Sequence, residues 1–232
     1  MKAKIVFLLL ISQFVFSQTN FEKAENLYDQ GKYTLAKSLF ETLLKENPNQ
    51  LKTIEYLGDI SIHFKEWDKA IAFYKKLKTL RPNEANYYYK YGGALGLKSK
   101  DGGKWVAIQL IGEMKASFEK TIVLNPNHID ARWALIEYYL QVPALFGGSE
   151  KKAQRYADEL IKLSPVDGYL SKGRIDEYFE RDKSAELNYQ KAVELCGSKN
   201  TYGRMLALYK VKLHKSDKAI KIIEKYQEKN KS

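Results

Sequence analysis

The stretch YLGDISIHFKEWDKAIAFYKKLKTLRP, Tyr56–Pro82, decides the fold of this chain. Gly58 lies on a first predicted helix, and Trp67, Ala70 and Tyr74 lie on a second one, which a proline ends. Small residues let two helix backbones approach closely, while large residues fill the space around them. Proline ends a helix because it has no amide proton to donate and its ring clashes with the preceding turn. The stretch therefore predicts a hairpin of two packed helices.

The same hairpin recurs along the chain. Four prolines close apolar helical runs at spacings of 34, 44 and 39 residues, at positions Pro48, Pro82, Pro126 and Pro165. The first spacing matches a helix-turn-helix repeat of about 34 residues, and the other two match that period with insertions. We therefore predict an all-α fold of about six repeats. Their approximate boundaries are 18–50, 51–84, 85–128, 129–165, 166–199 and 200–232.

The pattern within each period resembles the tetratricopeptide repeat. That repeat has Leu-Gly on its first helix, a small residue early in the second, an aromatic residue four positions later and a closing proline. In the second repeat these positions are Leu57, Gly58, Ala70, Tyr74 and Pro82. The resemblance implies a single right-handed α-solenoid domain over residues 18–232, with the first helix of each repeat on the concave side.

The N-terminal segment predicts export. A short basic start precedes an apolar run at residues 5–16, which fits a secretory signal peptide that is cleaved after Ser17. The run is shorter than the roughly 20 residues that span a bilayer, although an uncleaved anchor is the alternative. We expect removal of residues 1–17 to leave a soluble protein that is periplasmic or secreted.

Composition narrows the classes of function. The chain has one cysteine, which excludes a disulfide framework in an exported protein. Its formal charge is +11, and residues 199–232 hold ten Lys or Arg against three acidic residues, a net +7. This basic repeat predicts contact with an anionic membrane surface or polymer, or else a solvated outer face. Nucleic acid is not an expected partner of an exported chain.

Repeats three and four carry insertions in the turn between their helices. The first insertion begins with SKDGGK, residues 99–104, which predicts a turn. Apolar residues at helical spacing follow, so we expect the second helix to extend by about two turns at its N-terminus. The second insertion contains VPALFGGS, residues 142–149. Its glycines predict a bend, and its serine predicts the N-cap of the next helix.

These two insertions form a candidate feature beyond the common repeat. We expect the apolar run at residues 142–146 to fold over the extended helix and bury Leu145 and Phe146. An anion at the N-terminus of the helix after Ser149 is the alternative. Together the insertions resemble those of exported bacterial tetratricopeptide proteins of unknown activity. The feature comprises Trp105, Ile108, Ile111, Leu145, Phe146, Gly147, Gly148 and Ser149.

The resemblance also implies a groove that binds a partner. In the family's geometry its lining is acidic in the first half and basic in the second, with aromatic residues between. That arrangement suits an extended peptide or protein segment with opposite charges at its two ends. The implied lining is Phe21, Glu25, Tyr28, Glu55, Asp59, His63, Tyr89, Trp133, Glu137, Gln141, Arg174, Tyr178, Arg204 and Lys212.

Catalytic motifs give little support to an enzyme. The glycine pair before Ser149 does not fit a phosphate-binding loop, which needs Gly-Lys-Ser/Thr after a strand. Glu55, Asp59 and His63 recur every four residues on one helix and therefore share a stripe. A weak metal or acid–base site on that stripe is the alternative to a polar groove lining. We predict a protein-binding scaffold without catalysis, cofactor or metal, with an unrecognised enzyme as the alternative.

Overall fold

The chain folds into α-helices. The computed structural model describes residues 20–229, and no strand occurs in that range. The predicted signal peptide at residues 1–17 lies outside the described residues. The helices before the first insertion are α1 (residues 20–29), α2 (Tyr33–Glu46), α3 (Leu51–His63) and α4 (Trp67–Leu80). The helical stretch Ala85–Leu124 breaks at Gly103 into α5 (residues 85–102) and α6 (residues 104–124).

The remaining helices continue the pattern of hairpins. They are α7 (Ile129–Gln141), α8 (Glu150–Leu163), α9 (Pro165–Tyr178), α10 (Asp182–Leu195), α11 (Lys199–Ala207) and α12 (Ser216–Lys229). A turn of 3₁₀-helix (Ala144–Phe146) lies between α7 and α8, and a π-helical turn (Leu208–Lys212) follows α11. The prediction of an all-α fold of helix-turn-helix repeats is confirmed.

The described residues divide into two compact units. Unit 1 covers residues 20–117 and unit 2 covers residues 118–229. The single right-handed solenoid domain over residues 18–232 stays a prediction. Within the described part of the chain, every helix is too short or too polar to cross a membrane.

Each unit packs a small residue of one helix against a large residue of the next. In unit 1 a Cβ added to Gly58 would lie only 2.5 Å from Cε1 of Tyr74, which is buried. In unit 2 a Cβ added to Gly173 would collide with the ring of Tyr189, which is fully buried. Only glycine lets the helix backbones approach this closely, so the predicted packing of small against large residues is confirmed.

The first insertion lengthens both helices of repeat three. Helix α6 has 21 residues against 14 in α4, and the difference is the two turns that the sequence predicts. The turn predicted from residues 99–104 occurs at Gly103 alone, which has φ 76°, and the chain is helical on both sides of it. Helix α5 continues because Asp101 accepts a hydrogen bond from the indole of Trp67 (3.0 Å) and Lys98 pairs with Asp68.

The second insertion forms a short knob, residues 143–147. Gly147 has φ 102°, a left-handed conformation that favours glycine, and a side chain on Gly148 would collide with the carbonyl of Val142. The hydroxyl of Ser149 accepts a hydrogen bond from the amide of Lys152 at 3.4 Å. The glycine bend and the serine N-cap are therefore confirmed.

The apolar side chains of both insertions lie at the surface. Leu145 is 89% exposed and Trp105 is 82% exposed, while Ile108 and Phe146 are exposed to a lesser degree. Ile111 is half-buried. The predicted burial of Leu145 and Phe146 is therefore wrong. Only Val142, at the start of the segment, is buried.

Candidate functional site

The first helix of repeat two carries a cavity on its exposed face in unit 1. The cavity has a volume of about 240 Å³ and is lined by Lys52, Glu55, Tyr56 and Asp59, all on α3. Spacings of three and four residues place these side chains on one face of the helix. The cavity thus brings together two carboxylates, one ammonium group and one phenol.

Lys90, on α5, reaches the two carboxylates of this cavity. Its Nζ lies 2.7 Å from Oε1 of Glu55 and 2.8 Å from each carboxylate oxygen of Asp59. Burial lowers the pKa of Lys90, but the hydrogen bonds and charges of Asp59 and Glu55 outweigh burial, so the pKa lies above its usual value. The two carboxylates therefore share one paired ammonium group, and Lys52 supplies a second ammonium group to the same cavity.

Two phenols donate hydrogen bonds to carboxylates at this face. The hydroxyl of Tyr74 donates to Asp59 (2.6 Å), and that of Tyr56 donates to Glu25 (2.7 Å). Burial, together with the charge and hydrogen bond of the carboxylate partner, raises the pKa of both phenols. Both therefore stay protonated donors at neutral pH, and the carboxylates keep their orientation.

Aromatic rings surround the cavity in unit 1. Tyr28 packs edge-on against Tyr56 and Tyr33, with ring centroids 4.8 and 5.2 Å apart. His63 lies against Tyr33 at 4.1 Å, and Phe21 packs edge-on against Tyr56 at 6.1 Å. Such edge-to-face contacts hold the rings in fixed orientations. The structure therefore brings together all six predicted groove residues of repeats one and two at or around the cavity on α3.

A second charged face occurs in unit 2, on α7 and α9. Arg174 donates from Nε and Nη2 to the two oxygens of Glu137, at 2.8 and 3.2 Å. The amide of Gln141 donates to Glu137 at 3.4 Å, and the guanidinium of Arg174 lies 5.7 Å from the ring of Tyr178. This two-point pairing of Arg and carboxylate is geometrically specific. The face is therefore built from opposite charges in equal number.

The remaining predicted groove residues have different environments. Trp133 packs against the core of unit 2 and donates from its indole to Asp167 at 3.0 Å. Lys212 donates to the backbone carbonyl of Glu177, whereas Arg204 is exposed on α11. In unit 1, Tyr89 is half-buried on α5. The predicted contrast between an acidic first half and a basic second half is thus smaller in the structure. Lys90 pairs with the acidic residues of unit 1, and Glu137 pairs with Arg174 in unit 2.

The sequence prediction missed three residues of the unit 1 face, Lys52, Tyr56 and Lys90. Lys90 and Tyr56 both lie on first helices, two positions before the glycine of their repeats, Gly92 and Gly58. The prediction placed residues three positions before the glycine, one after it and five after it toward the groove. The sequence signal for Lys90 is its place inside the tyrosine-rich run NYYYKYGG. A lysine among residues that become buried needs a carboxylate partner.

The stripe of Glu55, Asp59 and His63 does not assemble as one site. Glu55 and Asp59 are held by Lys90, and His63 packs against Tyr33 instead. Among residues 20–229, no three His, Cys, Asp or Glu side chains come together as ligands for a metal ion. The face can therefore offer charged and aromatic contacts to a partner.

Comparison with known proteins identifies the repeat. Residues 21–85 match the sequence model of the tetratricopeptide repeat. A search of curated protein sequences gives no match. The fold is similar to TTC0263, a thermophilic TPR protein in Thermus thermophilus, at 19% identity and a TM-score of 0.65. That match covers 84% of this chain and 100% of the other.

Two further solved structures share the fold. PilW, a widely conserved type IV pilus biogenesis factor, is 16% identical with a TM-score of 0.66, and the match covers 91% of this chain and 92% of PilW. YrrB, a TPR protein with an unusual peptide-binding site, is 14% identical with a TM-score of 0.55, over 78% of this chain and 87% of YrrB. Residues 21–85 therefore carry the tetratricopeptide repeat, and the chain has the fold of solved tetratricopeptide repeat proteins.

Proposed function

We propose that this protein is an exported scaffold of the cell envelope that binds an extended segment of another protein and catalyses no reaction. The observation that carries this proposal is the cavity on α3, with its two carboxylates, its phenol and the aromatic rings around it. Tetratricopeptide repeats bind peptides or proteins, and YrrB, which is similar in fold, has an unusual peptide-binding site. Export is proposed from the N-terminal sequence.

The charges of unit 1 favour a partner segment with a basic side chain. Glu55 and Asp59 pair with Lys90, and Glu25 adds a further carboxylate whose partner is a neutral phenol. With Lys52, which also lines the cavity, three carboxylates face two ammonium groups, so one negative charge is in excess. A Lys or Arg side chain entering the cavity would compensate the excess negative charge. Tyr28 and Tyr56 offer the apolar and polar surface on which an extended chain packs. The face in unit 2 is already balanced, so it is the weaker candidate.

Site-specific photo-crosslinking tests this proposal. A photoreactive amino acid in place of Lys52, which lines the cavity, should crosslink the partner in living cells, and mass spectrometry should map a Lys- or Arg-containing segment. The matched control places the same group at Lys45, an exposed position on α2. Equal crosslinking from both positions would contradict a site on α3.

A charge variant makes the test specific. Glu55→Gln combined with Asp59→Asn removes the excess negative charge but keeps the side-chain shapes, so crosslinking from position 52 should fall about tenfold. Glu41→Gln, an exposed position on α2, should leave crosslinking unchanged. If the double variant remains folded by circular dichroism and crosslinks as well as the parent, the proposed role of these carboxylates is wrong.

A further inference from the structure

Three consecutive turns of unit 2 form one edge, called here the turn edge. They are the turns between the paired helices of repeats four, five and six, at residues 142–149, 179–181 and 213–215. Nη2 of Arg181 lies 2.7 Å from Oε1 of Glu150, which joins the second turn to the helix that follows the first. Lys212, just before the third turn, donates to the carbonyl of Glu177, just before the second. The three turns therefore lie next to one another.

The turn edge exposes apolar side chains in or beside each of the three turns. Leu145 is the most exposed large apolar residue of the described chain, and four others are exposed along the same edge. Single exposed apolar residues are common on protein surfaces, but several on adjacent turns indicate an interaction site. The set comprises Leu145, Phe146, Tyr178, Phe179 and Val211.

The knob at residues 143–147 presents its side chains on a fixed backbone. The amide of Phe146 donates to the carbonyl of Pro143 (2.8 Å), that of Gly147 donates to Ala144 (3.0 Å), and that of Gly148 also donates to Pro143 (3.2 Å). Insertion into the apolar part of a lipid interface requires amides that are satisfied internally. These three hydrogen bonds satisfy the amides of Phe146, Gly147 and Gly148 within the knob.

The charges of the turn edge are mostly positive. Residues 142–149 carry no charge, and Glu150, the first acidic residue after them, is paired with Arg181. Four lysines are exposed, two at the start of α8 and two beside the third turn, against two exposed acids, Glu180 and Asp217. The lysines are Lys151, Lys152, Lys210 and Lys215. The edge thus combines apolar tips with an excess of cations.

We propose that the turn edge of unit 2 binds an anionic lipid surface, with Leu145 and Phe146 entering the interface and the lysines lying over the headgroups. Apolar and aromatic tips flanked by lysines are the features that hold peripheral proteins at such surfaces. A protein partner is the less suitable occupant, because the exposed lysines beside the apolar tips match the headgroups of an anionic lipid surface. This site is separate from the cavity on α3, and neither depends on the other.

Sedimentation with lipid vesicles tests the assignment. The protein from residue 18 onward should sediment with vesicles of equal parts phosphatidylglycerol and phosphatidylcholine, and should stay in solution with phosphatidylcholine alone. Leu145→Ser combined with Phe146→Ser should reduce the bound fraction at least about fivefold, because the apolar contribution is lost. Lys151→Gln with Lys152→Gln should reduce it as well, and added salt should weaken the binding of the parent.

A matched control and a second readout keep the test decisive. Leu187→Ser with Leu195→Ser removes two exposed leucines of α10 in the same unit and should leave the bound fraction unchanged. Tryptophan fluorescence of Leu145→Trp should shift to the blue on anionic vesicles if the tip enters the interface. Binding that is equal in the knob variant and the control would overturn the proposal. The proposal would also be overturned if the parent self-associates without binding vesicles and the knob variant is monomeric. The turn edge would then contact a second copy of the chain.

Discussion

Units 1 and 2 share the same packing of glycine against tyrosine but differ in the charged face of their first helices. In each unit a buried tyrosine of a second helix lies against a glycine of the first helix and donates its hydroxyl to a carboxylate. The sets are Tyr74, Gly58 and Asp59 in unit 1, and Tyr189, Gly173 and Glu177 in unit 2. The charges around these sets differ. In unit 1 two carboxylates share one lysine beside a cavity, whereas in unit 2 one carboxylate matches one arginine.

This difference separates what a repeat needs for folding from what it can use for binding. The glycine and the tyrosine set the distance between the two helices, so exchanging them affects the hairpin itself. The charges lie on the outer side of the first helix, where the packing does not dictate their identity. Unit 1 keeps an excess negative charge and an open cavity there, and unit 2 does not. Substitutions at the two levels should therefore have distinct effects.

The largest effect is expected for the glycines. Gly58→Ala and Gly173→Ala should each lower the free energy of unfolding by about 2–3 kcal/mol, because the added methyl group collides with a tyrosine ring. Gly93→Ala on α5 has no atom within 4 Å of the new Cβ and should be neutral or stabilising by about 0.5–1 kcal/mol. Urea denaturation gives the free energies. A neutral Gly58→Ala would show that the ring moves away at little cost.

The packing could be predicted from the sequence because it depends on local spacing. The distance along the chain between Gly58 and Tyr74, and the closing Pro82, are visible in the sequence alone. The ion pairs were harder to predict. Lys90 meets Asp59 only because α3 and α5 lie side by side in a particular register, and no spacing within one repeat gives that register.

The second insertion shows the same limit. The bend at Gly147 and the cap at Ser149 were predicted correctly, because turn residues and N-caps act on their own backbone. The burial of Leu145 was predicted wrongly, because an apolar residue in a turn becomes buried only if another element covers it. Hydrophobicity indicates that a contact is favourable but does not identify the partner.

A smaller effect is expected from the two faces themselves. Lys90→Met keeps the length of the side chain but leaves Glu55 and Asp59 without a cation, which should cost about 1–2 kcal/mol of stability. Arg174→Met should cost less, about 0.5–1 kcal/mol, because it leaves a single carboxylate that is partly exposed to water.

Hydrogen exchange read by mass spectrometry assigns each loss to its unit. Lys90→Met should increase exchange in α3 and α5, and Arg174→Met in α7 and α9. The double variant Lys90→Met with Asp59→Asn should recover part of the loss, because only one carboxylate is then uncompensated. Equal costs for the two single variants would remove the energetic distinction between the faces.

The smallest effect is a pH dependence confined to unit 2. His128 is the N-cap residue of α7, and its Nδ1 accepts a hydrogen bond from the amide of Ala131 at 3.1 Å. The N-cap residue of α3, Gln50, makes no such side-chain hydrogen bond. Burial lowers the pKa of His128 below its usual value, Asp130 opposes this shift, and Arg132 adds to it. Arg132 also donates to the carbonyl of His128.

The sign of this dependence follows from the lowered pKa. The unfolded chain takes up the proton more readily, so the stabilisation is present above the unfolded pKa of about 6.5 and declines as the pH falls toward the folded value. The protonated ring cannot accept the hydrogen bond, so the expected loss is about 1 kcal/mol or less, the size of an N-cap. Urea denaturation between about pH 7.5 and about pH 5.5 should show this loss in the parent and a smaller one in His128→Asn, which caps without titrating. Faster hydrogen exchange at low pH should be confined to the start of α7. If α3 responds equally, the dependence arises elsewhere, and the two faces do not differ in their response to pH.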